Sequence, residues 1–378
     1  MAPIHEAGLN ILFTRNTQLL LFLAALRRSS LSNYDTMKPK SLREFSINIP
    51  EQEYHDLPAW SYSIIAKYAR DGFGAMSTLH DKVTPTPSME FGSLFDSMIT
   101  RGKETLKNYT VMDISVPPAE KNVLDTLASN CTCPQFHDIS MDEVIATADN
   151  VGYQMRLKPD TRYKKISEYS AYYDTIMSGK KVVSRQDWDD AMEMYKVFRN
   201  DAYLKTLFGT KDTDDVEYIY QAQFKTKFVI NGQEVEVKMM ADLIVVNHTE
   251  KTIQIVDLKT SAMPAYDFSQ NFIKYRYDLE AEIYTDVVDR IRMDINGYGD
   301  YEILPFLFAD ISRVDKVPVT YSYSPWGGFV FTKGENTYEY KGWKTLLGEI
   351  LHYEECEAKV PDYITTEGPN DLIEILER

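Results

Sequence analysis

Two acidic residues and a lysine at the ends of apolar runs carry the clearest chemistry in this chain. Asp242 leads into Leu-Ile-Val-Val246, and Thr252-Ile-Gln-Ile-Val256 runs directly into Asp257-Leu258-Lys259. In an extended strand residues i and i+2 share a face, so Asp257 and Lys259 point to one side together. The turn Asn247-His-Thr-Glu250 folds the two runs into a hairpin, which can bring Asp242 beside Asp257. Two carboxylates at close range repel unless a cation lies between them. Oxygen ligands with retained waters suit Mg²⁺ or Mn²⁺. Such an ion acidifies a bound water and neutralises a phosphoryl oxygen. Lys259 would orient that water or help deprotonate it, and would stabilise the developing charge. The chemistry that fits is metal-assisted phosphodiester hydrolysis. Spacing alone also fits two surface turns and a solvated lysine.

The elements that must position these residues are legible in the pattern. Tyr220, Ala222, Phe224, Thr226 and Phe228 alternate with Gln221, Gln223, Lys225 and Lys227, a strand period. Asn231-Gly232 is a hairpin signal, and Val235, Val237 and Met239 continue on the return strand. Helical spacing follows from Asp267 to Arg290, with strands expected at 303–311 and 317–323 and a helix from Trp343 to Glu357. Upstream, helices are expected after Ser61, over Phe91–Ile99 with Ser88 as cap, and through 165–209. There Ser184-Arg-Gln-Asp187 resembles a capping box ahead of the stripe Trp188, Ala191, Met192, Tyr195, Phe198. Residues 101–160 show no clear period, and no internal repeat is evident. Helices, sheet, helix, sheet and helix together predict an α/β or α+β body.

Composition narrows the classes. The chain has 378 residues, 44% hydrophobic and 26% charged, with a net charge of −16. That excludes fibrous and disordered chains, and a protein that coats nucleic acid through bulk positive charge. It leaves room for a basic groove. Cys131, Cys133 and Cys356 are too few for a disulfide scaffold or a four-cysteine zinc or iron–sulfur site, and a reducing cytoplasm is expected. The six histidines show no metal-ligand spacing, and neither a P-loop nor a nucleophile elbow is present. The apolar stretch within 11–26 is shorter than the roughly 20 residues of a spanning helix, so it reads as an amphipathic helix rather than a membrane anchor. Residues 29–58 read as a polar, proline-punctuated arm.

The segment around Asp242, Asp257 and Lys259 resembles the core of the PD-(D/E)xK nuclease superfamily, in particular its exonuclease VIII/RecB-like branch. Asp242 matches the strand acid and Asp257-Leu258-Lys259 the D-x-K, followed by Thr260-Ser261. Lys238 matches the basic residue four positions before the acid. Glu280-Ala-Glu-Ile-Tyr284 stands where Q-x-x-x-Y is expected, with Glu for Gln. Gly92-Ser-Leu-Phe-Asp96 stands where G-x-x-x-H is expected, with Asp for His. Trp60-Ser-Tyr-Ser63, the helical stretch 182–207 and the tail 317–363 extend the likeness over roughly 59–363, so the expected division is an arm over 1–58 and a nuclease domain over 59–370. The resemblance implies a mixed central sheet flanked by helices, with a helical insertion at about 100–210.

It also implies roles. Asp242, Asp257, Lys259, Glu280 and Tyr284 would be catalytic. Asp96, Asp242 and Asp257 would hold Mg²⁺ or Mn²⁺, with either Glu217 or Gln221 at the preceding strand position. No iron–sulfur cluster is expected. The implied activity is a deoxyribonuclease acting on DNA ends, of the kind phages encode for recombination or replication and which works in the host cytoplasm. A homo-oligomer and a single-strand-annealing partner go with it. An endonuclease, a single-strand-trimming enzyme or a catalytically silent DNA-binding subunit are the alternatives. Lys225, Lys227, Lys238, Lys274 and Arg276 are the expected phosphate contacts, and Tyr266, Phe268, Tyr275 and Tyr277 the aromatics available to stack on bases.

Overall fold

The alternation that begins near Tyr218 becomes the longest hairpin among the described residues. A computed structural model describes residues 41–356 except 82, 84, 103, 104, 114, 326, 334 and 335. The segment 11–26 and the tail beyond 356 lie outside the described residues. In chain order the first helices are α1 (Glu51–Asp56) and α2 (Tyr62–Asp71). There follow α3 (Pro87–Thr100), α4 (Thr105–Asn108), β1 (Tyr109–Met112), α5 (Pro118–Asn130) and α6 (Met141–Asn150). Next come α7 (Pro159–Ser167), α8 (Ser170–Met177), β2 (Lys181–Ser184), α9 (Arg185–Asn200) and α10 (Ala202–Leu207). The sheet region holds β3 (Val216–Ile230), β4 (Gln233–Asn247), β5 (Thr252–Ser261), α11 (Phe268–Tyr275) and α12 (Tyr277–Asp294). It closes with β6 (Glu302–Ile303), β7 (Phe306–Ser312), β8 (Pro318–Tyr323), β9 (Gly328–Lys333), β10 (Asn336–Lys341) and α13 (Trp343–Glu355).

The fold is mixed α/β, with a mixed central sheet flanked by helices. Its order is β3-β4-β5-β7-β8, with β6 paired to β5. The pairs β3/β4, β4/β5 and β7/β8 are antiparallel and β5/β7 is parallel. A parallel neighbour requires a crossover, and α11 and α12 supply it. Ile253 and Ile255 of β5 join Phe268, Phe272, Leu279, Ile283 and Val287 of the crossover helices in one buried core. Asp257 and Lys259 continue the parity of Ile253 and Ile255, so they face the same helices.

The chain divides into two units, one holding 1–86 and 197–378, the other Pro87–Lys196. The second unit runs to 87 and 196, where about 100 and 210 were expected for the insertion. Its core gathers Val123, Leu124, Leu127, Val144, Ala148, Ile166 and Tyr173, and β1 and β2 pair in parallel beside it. In this unit the serine half of the expected capping box forms, the Asp187 amide donating to Ser184 Oγ at 3.0 Å, while the Asp187 carboxylate accepts from the Ser184 hydroxyl at 2.7 Å.

The structure differs from the sequence pattern at several places. Residues 41–58, expected as part of an arm, pack on the sheet of the first unit. Leu42 is fully buried, the Ile47 amide donates to the Gln223 carbonyl at 2.9 Å, and Tyr54 is buried. The single helix expected over 267–290 is two helices, because Arg276 adopts a left-handed conformation (φ 58°, ψ 47°) between them. The strand expected over 303–311 breaks at Leu304-Pro305 into β6 and β7. The hairpin β9–β10 had no reading from sequence.

Candidate functional site

The site is built where β5 meets α12. Arg276 ends α11 and starts α12, and its guanidinium pairs with the fully buried Asp278 at 2.9 Å and donates to the Lys341 carbonyl at 2.7 Å. That joint fixes the first turn of α12, which carries Glu280. Glu280 and Tyr284, spaced i and i+4, lie on one helix face. Both are buried.

Lys259 Nζ lies 2.6 Å from Asp257 Oδ2 and 2.7 Å from Glu280 Oε2. The ammonium also sits 4.4 Å from the centre of the Tyr277 ring, whose negative face favours a cation. Both contacts are ion pairs off the hydrogen-bonding directions, since among the described residues Asp257 Oδ2 and Glu280 Oε2 are buried without a hydrogen-bond donor. Burial disfavours the Lys259 charge, but Asp257 and then Glu280 outweigh it and hold its pKa well above that of an ordinary lysine. Lys259 is therefore an ammonium here. It can orient a water or stabilise negative charge, and in this state it cannot take a proton.

Glu280 shifts in the direction opposite to a simple ion pair. Burial first, and then the charge of Asp257, push its carboxyl up to about 8 against the pull of Lys259. Two carboxyl groups share one ammonium, and below about pH 8 Glu280 keeps its proton, so Asp257 and Lys259 form the charged pair and the trio turns net negative only as Glu280 ionises. Burial also raises the Tyr284 hydroxyl pKa, with Glu280 adding to the effect.

Asp242 stands at a kink in the hairpin. On β4 the core-facing residues are Val235, Val237, Met239 and Ala241, then Ile244 and Val246. On β3 they are Ile219, then Ala222 and Phe224. Both strands change parity at one level, that of Gln221 and Asp242. Gln221 has φ 50°, the left-handed region that favours glycine, and its side-chain amide donates to Asp242 Oδ1 at 3.3 Å. Asp242 Oδ2 accepts from the Leu258 amide at 2.7 Å. The β4/β5 register runs to Leu243↔Val256, and one step further sets Asp242 across from Asp257.

Several other expected residues of the first unit fall elsewhere on it. Of the two alternatives on β3, Gln221 is the one beside Asp242. Glu217 instead bonds Ser41 Oγ and lies 3.7 Å from Arg43 Nε and 3.9 Å from His248 Nε2. Asp96 is half-buried on α3, in the second unit. Two expected phosphate contacts are corrected. Lys238 is buried, and its Nζ donates to the carbonyls of Tyr54, His55 and Leu57 at 2.8, 2.9 and 2.9 Å. Arg276 is buried by its pairing with Asp278. Both cations are consumed by structure. Lys225 pairs with Glu236 at 2.9 Å and Lys227 with Glu234 at 2.7 Å on the hairpin surface. Lys274 is exposed, its Nζ 5.1 Å from the Tyr275 ring centre. Among the aromatics, Tyr266 and Tyr275 are exposed and Phe268 is core.

Sequence reasoning missed Asp310. It lies on β7 in register with Lys259, fully buried, and among the described residues neither carboxylate oxygen has a hydrogen-bond partner. The signal was an acid inside the otherwise apolar run Phe306-Leu-Phe-Ala-Asp-Ile311.

No family model matches the chain, and no curated protein does. Among solved structures it is similar to one described as "Crystal structure of SSO0001", with 10% identity, covering 54% of this chain and 75% of that chain, at a TM-score of 0.22. A likeness at that score carries no argument about function.

Among the described residues no group of three or more His, Cys, Asp or Glu side chains is gathered to hold a metal. Mg²⁺ does not demand one, since it commonly takes one or two carboxylates and completes its shell with waters and substrate oxygens. Asp242 and Asp257 supply two such carboxylates, and Asp257 Oδ2, ion-paired to Lys259 but accepting no hydrogen bond among the described residues, has capacity for an added cation.

Proposed function

We propose that this protein is a divalent-cation-dependent deoxyribonuclease of the PD-(D/E)xK type that hydrolyses phosphodiester bonds at DNA ends. The observation that carries the reading is the buried trio Asp257, Lys259 and Glu280, two carboxylates sharing one ammonium beside Asp242. Acid pairs of this kind persist in a protein interior when a cation or a reaction uses them. The motif resemblance around Asp242, Asp257, Lys259 and Tyr284 supports the same reading, as does the hard oxygen donor set.

Asp242 and Asp257 would hold Mg²⁺ or Mn²⁺, which supplies an acidified water and charge neutralisation at phosphorus when bound. The residues of the chain do the rest. The Asp242 carboxylate is oriented by the Leu258 amide and the Gln221 side chain, so its oxygens are held before any ligand arrives. Lys259 keeps a permanent positive charge at the end of β5, suited to a phosphate oxygen or a developing oxyanion. Glu280 anchors that ammonium from the helix side. The exposed Lys274 and Tyr275, at the end of α11, offer a cation and an aromatic face to a DNA end.

The test uses linear duplex and relaxed circular DNA with Mg²⁺, Mn²⁺ or EDTA. Metal-dependent loss of the linear DNA alone supports an exonuclease. Loss of the circle as well changes the mode to endonuclease. Intact DNA under every metal overturns the proposal.

A further inference from the structure

We propose that Asp310 is a second resting place for the Lys259 ammonium, a positioning residue that receives it when a divalent cation binds at Asp257. The inference rests on the cation-dependent reading above and adds a residue that reading does not use.

An incoming cation and the Lys259 ammonium compete for the Asp257 carboxylate. Lys259 Nζ lies between Asp257 and Glu280, within 2.6 and 2.7 Å of their oxygens. A divalent cation on Asp257 would be next to that ammonium, and two positive charges at such range repel strongly in a buried site. The ammonium must yield. Its stem is mostly enclosed, the side chain being only 16% exposed, so an exit to solvent is not the nearest option.

The neighbouring strand offers a berth. β5 and β7 are parallel and pair Lys259 with Asp310, so both side chains stand on the same face of the sheet. Adjacent strands are about 4.8 Å apart, within the swing of a flexible four-carbon stem. Asp310 is fully buried, and among the described residues neither of its oxygens has a hydrogen-bond partner.

The polar groups around it are engaged elsewhere. Asp315 accepts the Ala265 amide on Oδ2 and the Val317 amide on Oδ1, both at 3.1 Å. Ser312 Oγ accepts the Val314 amide at 2.9 Å, and the Tyr321 hydroxyl donates to the Ala265 carbonyl. Native structures rarely leave a buried carboxylate unserved without a reason. Burial, and after it the charge of Asp315, push the Asp310 carboxyl up to about 7 against the pull of Lys259. A proton or the Lys259 ammonium would each satisfy it, and only the ammonium is delivered by cation binding next door.

The test is a double-mutant cycle read by Mn²⁺ binding alone, without DNA, on the full chain by calorimetry. The four proteins are wild type, Asp310→Asn, Lys259→Met and the double variant. Asp310→Asn is expected to weaken Mn²⁺ binding on the order of tenfold or more, because the displaced ammonium has lost its berth. In the Lys259→Met background the same change should have no effect. Asp310→Ser is carried in parallel, so that a poorly fitting amide does not decide the result. Equal weakening in both backgrounds would mean a structural role and overturn the proposal, as would no weakening in either. Absence of Mn²⁺ binding by wild type would overturn it together with the cation-dependent reading. The expected cycle in a protein that cuts no DNA would sink the nuclease reading and leave this one standing.

Discussion

Lys259 Nζ and Glu280 Oε2 lie 2.7 Å apart across the contact between β5 and α12, yet the Glu280 carboxyl is pushed up to about 8. A private ion pair would lower it. Burial and the neighbouring Asp257 reverse the sign, because the ammonium is already shared. This shared charge is the feature from which the account follows.

The first consequence concerns pH. An acid whose folded pKa lies above its unfolded value stabilises the fold most below the unfolded value and loses that contribution as pH rises through the folded one. For Glu280 the window runs from about 4.5 to about 8. Asp310 and Glu282, each pushed up to about 7 chiefly by burial, act with the same sign over a window that closes lower. Thermal stability should therefore fall between pH 5 and pH 8, by up to about 4 kcal/mol for a group of this kind. Glu280→Gln should abolish the fall above about pH 7 and make it shallower below, where Asp310 and Glu282 still contribute. Melting curves across that range check it, and an unchanged slope in the variant would count against the shared-charge arrangement.

Arg276 joins two helices and neutralises the buried Asp278. Removing one partner of a buried pair leaves an uncompensated charge, so Arg276→Ala should destabilise by about 3–5 kcal/mol in denaturant unfolding. Adding Asp278→Asn should recover part of the loss. A change below about 1 kcal/mol would mean that solvent reaches the pair.

Lys238 holds residues 54–57 against the sheet. Its ammonium ties three carbonyls of residues 54, 55 and 57 to β4. Lys238→Met should cost about 3 kcal/mol, since the carbonyls lose charge-assisted donors. It should leave DNA affinity, read at a temperature where both proteins are folded, within about twofold. A large loss of affinity with unchanged stability would restore the phosphate-contact role.

How much was legible depended on whether a signal was local. The face shared by Asp257 and Lys259 followed from a period of two, and the Asn231-Gly232 turn from its dipeptide, with φ 51° and 84° as such a turn needs. Lys238 was misread because its partners lie more than 180 residues upstream, a distance no pattern spans. Arg276 looked like a helix-surface cation, since nothing in a continuous helical period marks one left-handed residue. The parity change at Gln221 and Asp242 was hidden because both strands are rich in apolar residues on either phase. Asp310 stood out only as an acid in an apolar run, and its meaning required the β5/β7 register. The division between units falls at the start of α3 and inside α9, and helical spacing continues across the second of these boundaries.

Gln221 carries the strain of the kink. Gln221→Gly should leave stability unchanged or raise it by up to about 1 kcal/mol, since glycine adopts its φ freely. Gln221→Val should lower it by about 1–2 kcal/mol, because a β-branched residue is poorly accommodated there. Equal effects of the two in chemical denaturation would contradict the left-handed assignment.

The central claim is that Asp257 serves a metal-dependent cut in DNA. The most direct measurement is single-turnover cleavage of end-labelled linear duplex by wild type and Asp257→Asn, in Mn²⁺ and in EDTA, with melting curves to show that both are folded. The account predicts cleavage by wild type in Mn²⁺ only, reduced about a thousandfold or more in the folded variant. Equal cleavage by the two proteins, or none by wild type with any divalent metal, would contradict it.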